Sequence, residues 1–283
     1  MILLRRFLLV VAVVCACTAV PGSATARPPA GNAFELVVLA AAASPPVTLR
    51  GVELACPPRI PRAGFRDVSS SDVHARAISC MAWWDLTGGL SPTAFAPGSR
   101  VNRAQMSSFV AREIEGAGYV LPASPGDAFG DDNGSVHEVR INQLAAVGVV
   151  AGVTPTSFRP GDFVTRGQMA TFLVRAHDLV AARDLVADGS RFGDDTGSVH
   201  EASIDKCATA GLAGGTGSGS FSPLEPVSRA QLASFLARSL DLLVSTGEVD
   251  APTAPPIRGD ASSATVEPRL LNDPNVLWVG TFD

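Results

Sequence analysis

Three arginines carry the first chemical signal. Arg103, Arg166 and Arg229 recur 63 residues apart, each one position after a residue suited to cap a helix. A cation there opposes the partial positive charge of the helix start and costs on the order of 0.3–1 kcal/mol relative to an acid. The same fork, set beside unpaired helix N–H groups, can hold a carboxylate or phosphate by charge and hydrogen bonds together. Two readings follow. Either the guanidinium groups face an anionic ligand, or they pair internally with Asp67, Asp131 and Asp194, which stand two residues after Phe65, Phe129 and Phe192.

The 63-residue interval also relates His74, His137 and His200, Phe95, Phe158 and Phe221, Pro97, Pro160 and Pro223, and Phe109, Phe172 and Phe235. A period of this size marks an array of small supersecondary units. In the middle unit, Phe129-Gly130-Asp131-Asp132-Asn133-Gly134 is turn chemistry and Ser135 to Glu138 reads as a capping box. Ile141, Leu144, Ala145 and Gly148 then form a helical stripe, ended by Gly148 and Gly152. Phe158-Arg159-Pro160 is an extended link to a second box, Thr165 to Gln168, whose helix puts Met169, Phe172, Leu173 and Ala176 on one face. The third unit repeats this with boxes at Ser198 to Glu201 and Ser228 to Gln231. The first has an extra residue before His74, offers Asp72 as cap, and uses Asn102 to Gln105 for its second helix.

Two short helices with one narrow apolar face each cannot fold alone. Segments 65–118, 129–181 and 192–244 are therefore expected to bury their faces against one another in an all-α fold. Their equivalence favours a closed pseudo-threefold arrangement over an open solenoid, which would want polar capping repeats at its ends.

Residues 1–26 read as an export signal: Arg5 and Arg6 precede an apolar run, and Ala24-Thr25-Ala26 offers a cleavage site. Ala16-Cys17 forms an imperfect lipoprotein box. Residues 27–64, rich in proline, read as a leader or spacer, and residues 245–283 as a disordered tail able to carry a protein partner. No later apolar run approaches the ~20 residues that span a bilayer. A net charge of −5 and a single lysine, Lys206, argue against nucleic acid as partner.

Once the signal is removed, Cys56, Cys80 and Cys207 remain in an oxidising compartment, where Cys56–Cys80 is the economical pairing. A metal site is the weaker reading, since the chain has neither a CxxC nor a close histidine pair, and the three periodic histidines each follow a helix cap. Asp131 to Gly134 lacks the glutamate of a calcium loop. Of Trp83 and Trp84, one must face the core. Arg258-Gly259-Asp260 is an adhesion tripeptide by letter only. No nucleophile, base and orienter recur together, so neither catalysis nor a cofactor is expected.

The ordered set of Phe-x-Asp, His and then Ile four residues on, Gly, Phe-x-Pro and Val-Thr-Arg-Gly-Gln-Met-Ala-Thr-Phe-Leu-Val-Arg resembles the S-layer homology (SLH) repeat, three times across 65–244. The resemblance implies an SLH trio whose inter-repeat grooves bind an anionic, often pyruvylated, cell-wall polysaccharide. The family's Thr-Arg-Ala-Glu motif maps onto Asn102-Arg103-Ala104-Gln105, Thr165-Arg166-Gly167-Gln168 and Ser228-Arg229-Ala230-Gln231, with Gln105, Gln168 and Gln231 in place of glutamate. His74, His137 and His200 fall where the family often has Trp beside the groove, and Gly89, Gly152 and Gly215 match its glycine near the ligand. The implied function is that of a secreted, noncatalytic wall-binding protein. The competing one is a secreted interaction or surface-assembly module that binds no glycan.

Outward display predicts that Arg103→Ala, Arg166→Ala and Arg229→Ala together abolish sedimentation with purified cell wall and leave the helical circular-dichroism signal intact. The internal-pair reading predicts that the helical signal collapses.

Overall fold

The computed structural model describes residues 48–217 and 219–253. The export signal, Cys17, residues 27–47, Arg258-Gly259-Asp260 and the rest of the tail from 254 lie outside the described residues. Within them the chain forms six helices: α1 (Ala75–Trp83), α2 (Arg103–Gly116), α3 (Glu138–Ala146), α4 (Arg166–Ala181), α5 (Glu201–Thr209) and α6 (Arg229–Ser245). Extended backbone occurs among the described residues only as isolated antiparallel bridges, so the fold is all-α. No described helix is long and apolar enough to cross a membrane.

The long helices start as the sequence dictates. Asn102, Thr165 and Ser228 each accept a hydrogen bond from the N–H three residues on, while Gln105, Gln168 and Gln231 accept one from the cap's own N–H. Each box satisfies two groups that a helix terminus would otherwise strand. The short helices start differently from expectation. Their caps are His74, His137 and His200, and Asp72, Ser135 and Ser198 accept from the histidine N–H two residues later. Glu138 and Glu201 reach back to Gly134 and Gly197, one residue before the expected partners. The tight turn before His137 and His200 thus shifts the acid's backbone partner by one residue.

The packing closes in a cycle. The long helices α2, α4 and α6 contact one another, and each short helix lies on the long helix of another segment: α3 on α2, α5 on α4, α1 on α6. At the centre Val101 N–H donates to Val227 C=O, Val227 N–H to Val164 C=O, and Val164 N–H to Val101 C=O, at 3.0, 2.9 and 2.9 Å. These three valines are buried, as are Met106, Met169 and Leu232 just beyond them, in one continuous apolar core. Around it sit the pairs Phe65–Phe95, Phe129–Phe158 and Phe192–Phe221, with ring centroids 5.4, 5.3 and 5.2 Å apart.

The Pro-rich segment is not a spacer at its described end. Val52, Ala55 and Cys56 are buried in the core, Asp241 of α6 accepts from the Leu54 and Ala55 N–H groups, and Trp84 Nε1 donates to Ala55 C=O. Prolines limit the backbone conformation of this segment; they do not prevent its non-proline residues from packing. A Cys56–Cys80 disulfide closes a 24-residue separation, a constraint that removes about 3 kcal/mol of unfolded-state freedom. Cys207 is a free, buried thiol whose pKa burial pushes up. Trp84 is the core member of its pair, while half-buried Trp83 donates to Pro252 C=O at 3.2 Å. Residues 249–252 therefore pack on the body before the remainder of the tail begins.

One residue conflicts with this core. Glu113 of α2 is 2% exposed, and neither carboxylate oxygen has a hydrogen-bond partner. Desolvation raises its pKa from 4.5 to about 8, which the nearby Ser239 hydroxyl offsets only in part. The folded state therefore holds a proton that the unfolded chain releases near pH 4.5. Stability is fully present below that pH and is lost as pH rises toward 8. At pH 7 the cost is roughly 3 kcal/mol. Glu113→Gln should raise the urea midpoint at pH 7 and flatten its decline between pH 6 and 8, leaving the decline below pH 6 to Asp132 and Asp195, whose pKa values burial raises to about 6. An unchanged slope between pH 6 and 8 would show that Glu113 does not titrate there.

Candidate functional site

The three arginines point inward, contrary to the outward display the sequence suggested. Arg103, Arg166 and Arg229 are 4%, 5% and 2% exposed. Each lies across the Phe-x-Pro loop of another segment. Arg103 Nε donates to Phe158 C=O at 2.7 Å, Arg166 Nε to Phe221 C=O at 2.8 Å and Arg229 Nε to Phe95 C=O at 2.7 Å. The guanidinium carbons sit 4.3, 4.5 and 4.7 Å from the centroids of those same phenylalanine rings. Burial depresses all three pKa values, yet a guanidinium is so strongly basic that it stays charged at neutral pH.

The internal ion pair is not what forms either. Asp67, Asp131 and Asp194 spend their carboxylates on backbone N–H groups of the loop in their own segment: Phe95 and Ala96, Phe158 and Arg159, Phe221 and Ser222. Aspartate holds the donors of the loop, and the arginine of another segment holds its carbonyl. This also explains a cation at a helix start. The first N–H groups of α2 donate to Asp162 and Pro160 C=O, those of α4 to Glu225 and Pro223 C=O, and those of α6 to Ser99 and Pro97 C=O. A loop crowded with carbonyls serves the helix end and the guanidinium together.

One arginine departs from this pattern. Arg103 Nη2 and Arg166 Nη2 donate to Ala151 and Gly214 C=O at 3.0 and 2.7 Å. Arg229 Nη1 and Nη2 are buried with no hydrogen-bond partner, and its pKa is pushed down to about 10.

The other sequence-derived residues also turn to the joints. The histidines lie at three different ones, where Nδ1 of His74, His137 and His200 shares a hydrogen bond with Ser234, Ser108 and Thr171 at 2.7, 2.7 and 2.8 Å. Gln105, Gln168 and Gln231 are half-buried in their capping boxes. Gly89, Gly152 and Gly215 are small for packing: a Cβ would come within 2.6 Å of Ala94, Ser157 or Ser220 C=O, and the rings of Phe65, Phe129 and Phe192 press on the same side. Sequence reasoning missed Ser108, Thr171 and Ser234, and missed Arg112, Arg175 and Arg238 one turn on. All six keep the 63-residue interval, so the repeat already contained that signal.

Comparison with known proteins now bears on this geometry. The model of the S-layer homology domain family matches residues 140–170 and 194–233, which include Arg166, Gln168, His200, Arg229 and Gln231. These two segments are similar to the S-layer homology domain. It is 30% identical over 139 residues to the S-layer protein sap of Bacillus anthracis and to an S-layer protein of Bacillus thuringiensis subsp. finitimus, covering 49% of this chain and 16% of each relative. An endoglucanase of Bacillus sp. (strain KSM-635) is 27% identical over 198 residues, 67% of this chain and 20% of that protein. The chain thus spans a fifth or less of the length of these relatives. An S-layer homology domain places this protein at the cell surface or in association with the cell wall.

Because the guanidinium groups fasten one segment to another, Arg103→Ala should destabilise the fold by on the order of 2–3 kcal/mol in urea unfolding, leaving the Phe158 carbonyl buried and unpaired and the Ala151 carbonyl without its partner. Arg103→Lys should recover little, as one ammonium cannot span both carbonyls. The triple alanine variant should lose its helical circular-dichroism signal. Retention of that signal would restore outward display.

Proposed function

We propose that this chain is a noncatalytic cell-wall-binding protein built from three S-layer homology repeats, at 65–118, 129–181 and 192–244, in a pseudo-threefold arrangement. Its ligand is an anionic wall polysaccharide. The cyclic hydrogen bonds of Val101, Val164 and Val227 support three equivalent repeats, although the family match falls on the second and third. The noncatalytic reading is supported by the recurrent acids: Asp67, Asp131 and Asp194 are committed to backbone N–H groups and are poorly placed to transfer protons. The endoglucanase relative is matched over a fifth of its length, so its activity is not carried over.

The observation that carries the ligand assignment is Arg229. Its two terminal nitrogens lack partners where Arg103 and Arg166 find carbonyls. A buried, unpaired guanidinium end is costly unless an anion completes it. The reading therefore gives the acidic group of the polymer to the Arg229 guanidinium end beside Phe95, and gives Arg103 and Arg166 the task of fastening the segments at the other two joints. Gln231, neutral where the family has glutamate, leaves the Arg229 charge for the ligand.

Arg229→Gln should cut sedimentation with purified wall at least tenfold, to the level seen after the wall's acidic polysaccharide has been removed, while circular dichroism reports a folded protein. Arg229→Lys should recover part of the binding. Undiminished sedimentation of folded Arg229→Gln would reject the Arg229 assignment, and binding indifferent to the polysaccharide would favour a protein partner.

A further inference from the structure

We propose that Arg50, Arg76 and Arg238 form a separate binding site for a phosphate group, in the cleft where the N-terminal segment crosses the joint between α1 and α6. The three side chains line one cavity of about 170 Å³ together with Ser234, while exposed Val73 forms its lip. Each arginine comes from a different piece of chain, and each has one hydrogen bond to the protein. Arg50 Nη2 donates to Ser245 Oγ at 3.0 Å, Arg76 Nη2 to Cys56 C=O at 2.6 Å, and Arg238 Nε to Arg50 C=O at 3.2 Å. Arg50 Nε and Arg76 Nε are buried without partners.

The chain as a whole is acidic, with a net charge of −5, yet these three cations share a cleft. None forms an ion pair among the described residues, whereas Arg140, Arg159, Arg183 and Arg191 each have an acid within 4.0 Å. Glu53 is the one acid on the cavity wall, and it is exposed. Burial also lowers the pKa of Arg238 with no acid to counter it. Three like charges brought together raise the free energy of the fold unless an anion enters. A phosphate offers oxygens in several directions to guanidinium forks converging from three chain segments, which a planar carboxylate does less well.

The site belongs to this joint alone. Arg112 and Arg175 stand at the equivalent of Arg238 and donate to Leu86 and Val149 C=O. The equivalents of Arg76 on α3 and α5 are Val139 and Ala202. Arg50 comes from the N-terminal segment, held nearby by the disulfide and by its own N–H bond to Gly211 C=O. Arg229 lies nine residues before Arg238 on α6, about 13 Å along the helix, so the two anion sites can fail independently.

The test is calorimetric titration of the full secreted chain with inorganic phosphate against chloride at equal ionic strength. Arg50→Ala is the first variant, because its only side-chain bond is at the surface. Saturable phosphate binding, weakened about tenfold or more by Arg50→Ala, partly recovered by Arg50→Lys and unaffected by Arg229→Gln, is the expected result. No saturable binding overturns the proposal, and so does binding that Arg229→Gln abolishes and Arg50→Ala spares. A glycerol-phosphate polymer that competes with inorganic phosphate identifies a wall phosphodiester as the source, and failure to compete identifies free phosphate.

Discussion

The constraint on which the rest of the molecule depends is the feeding of one segment's helix start into another segment's carbonyl-rich loop. Each Phe-x-Pro loop cannot satisfy its own backbone by helix or sheet, and its Phe side chain must be buried. The aspartate of its own segment takes the loop's N–H groups, and an arginine and helix terminus from elsewhere take its carbonyls. Every segment gives one such helix start and receives one, so the pattern closes after three. Burying a cation is tolerable here because neutral carbonyls and ring faces replace its water. An acid partner inside the loop would have brought a second desolvation cost.

That closure explains the spread of conserved spacing within the chain. A glycine that must admit a phenylalanine ring, a histidine that must reach a hydroxyl on the facing helix, and a glutamine that must complete a cap all lie on the joints. A repeated unit repeats its joints first. The proposed binding sites are departures from the repeat: the unpaired end of Arg229, and Arg50 and Arg76 around Arg238. Both lie where α6 meets the first segment, the joint that also receives the N-terminal segment and the disulfide. Glu113, a lone buried acid between long helices whose equivalents are Ala176 and Ser239, is a third departure, and its effect falls on stability.

Much of the fold was legible because it rests on local rules. The capping boxes at Asn102, Thr165 and Ser228 place the long helices at their first residue, and the apolar stripes give their buried faces. The short helices were less so, as Ser135 and Ser198 can cap or turn with the same hydroxyl, and only the following geometry selects the turn. The proline-rich segment was misread because composition reports backbone stiffness and says nothing of a distant Asp241 waiting to accept its N–H groups.

By itself the sequence determined the period, the starts of the long helices and the all-helical class, since these follow from backbone capping and side-chain spacing within a few turns. The tertiary structure alone decided where the arginines point. An arginine after a helix cap is equally able to face solvent or a neighbour. The choice depends on whether another segment brings its carbonyls within reach, which is a property of how the three segments close and of no single stretch of chain.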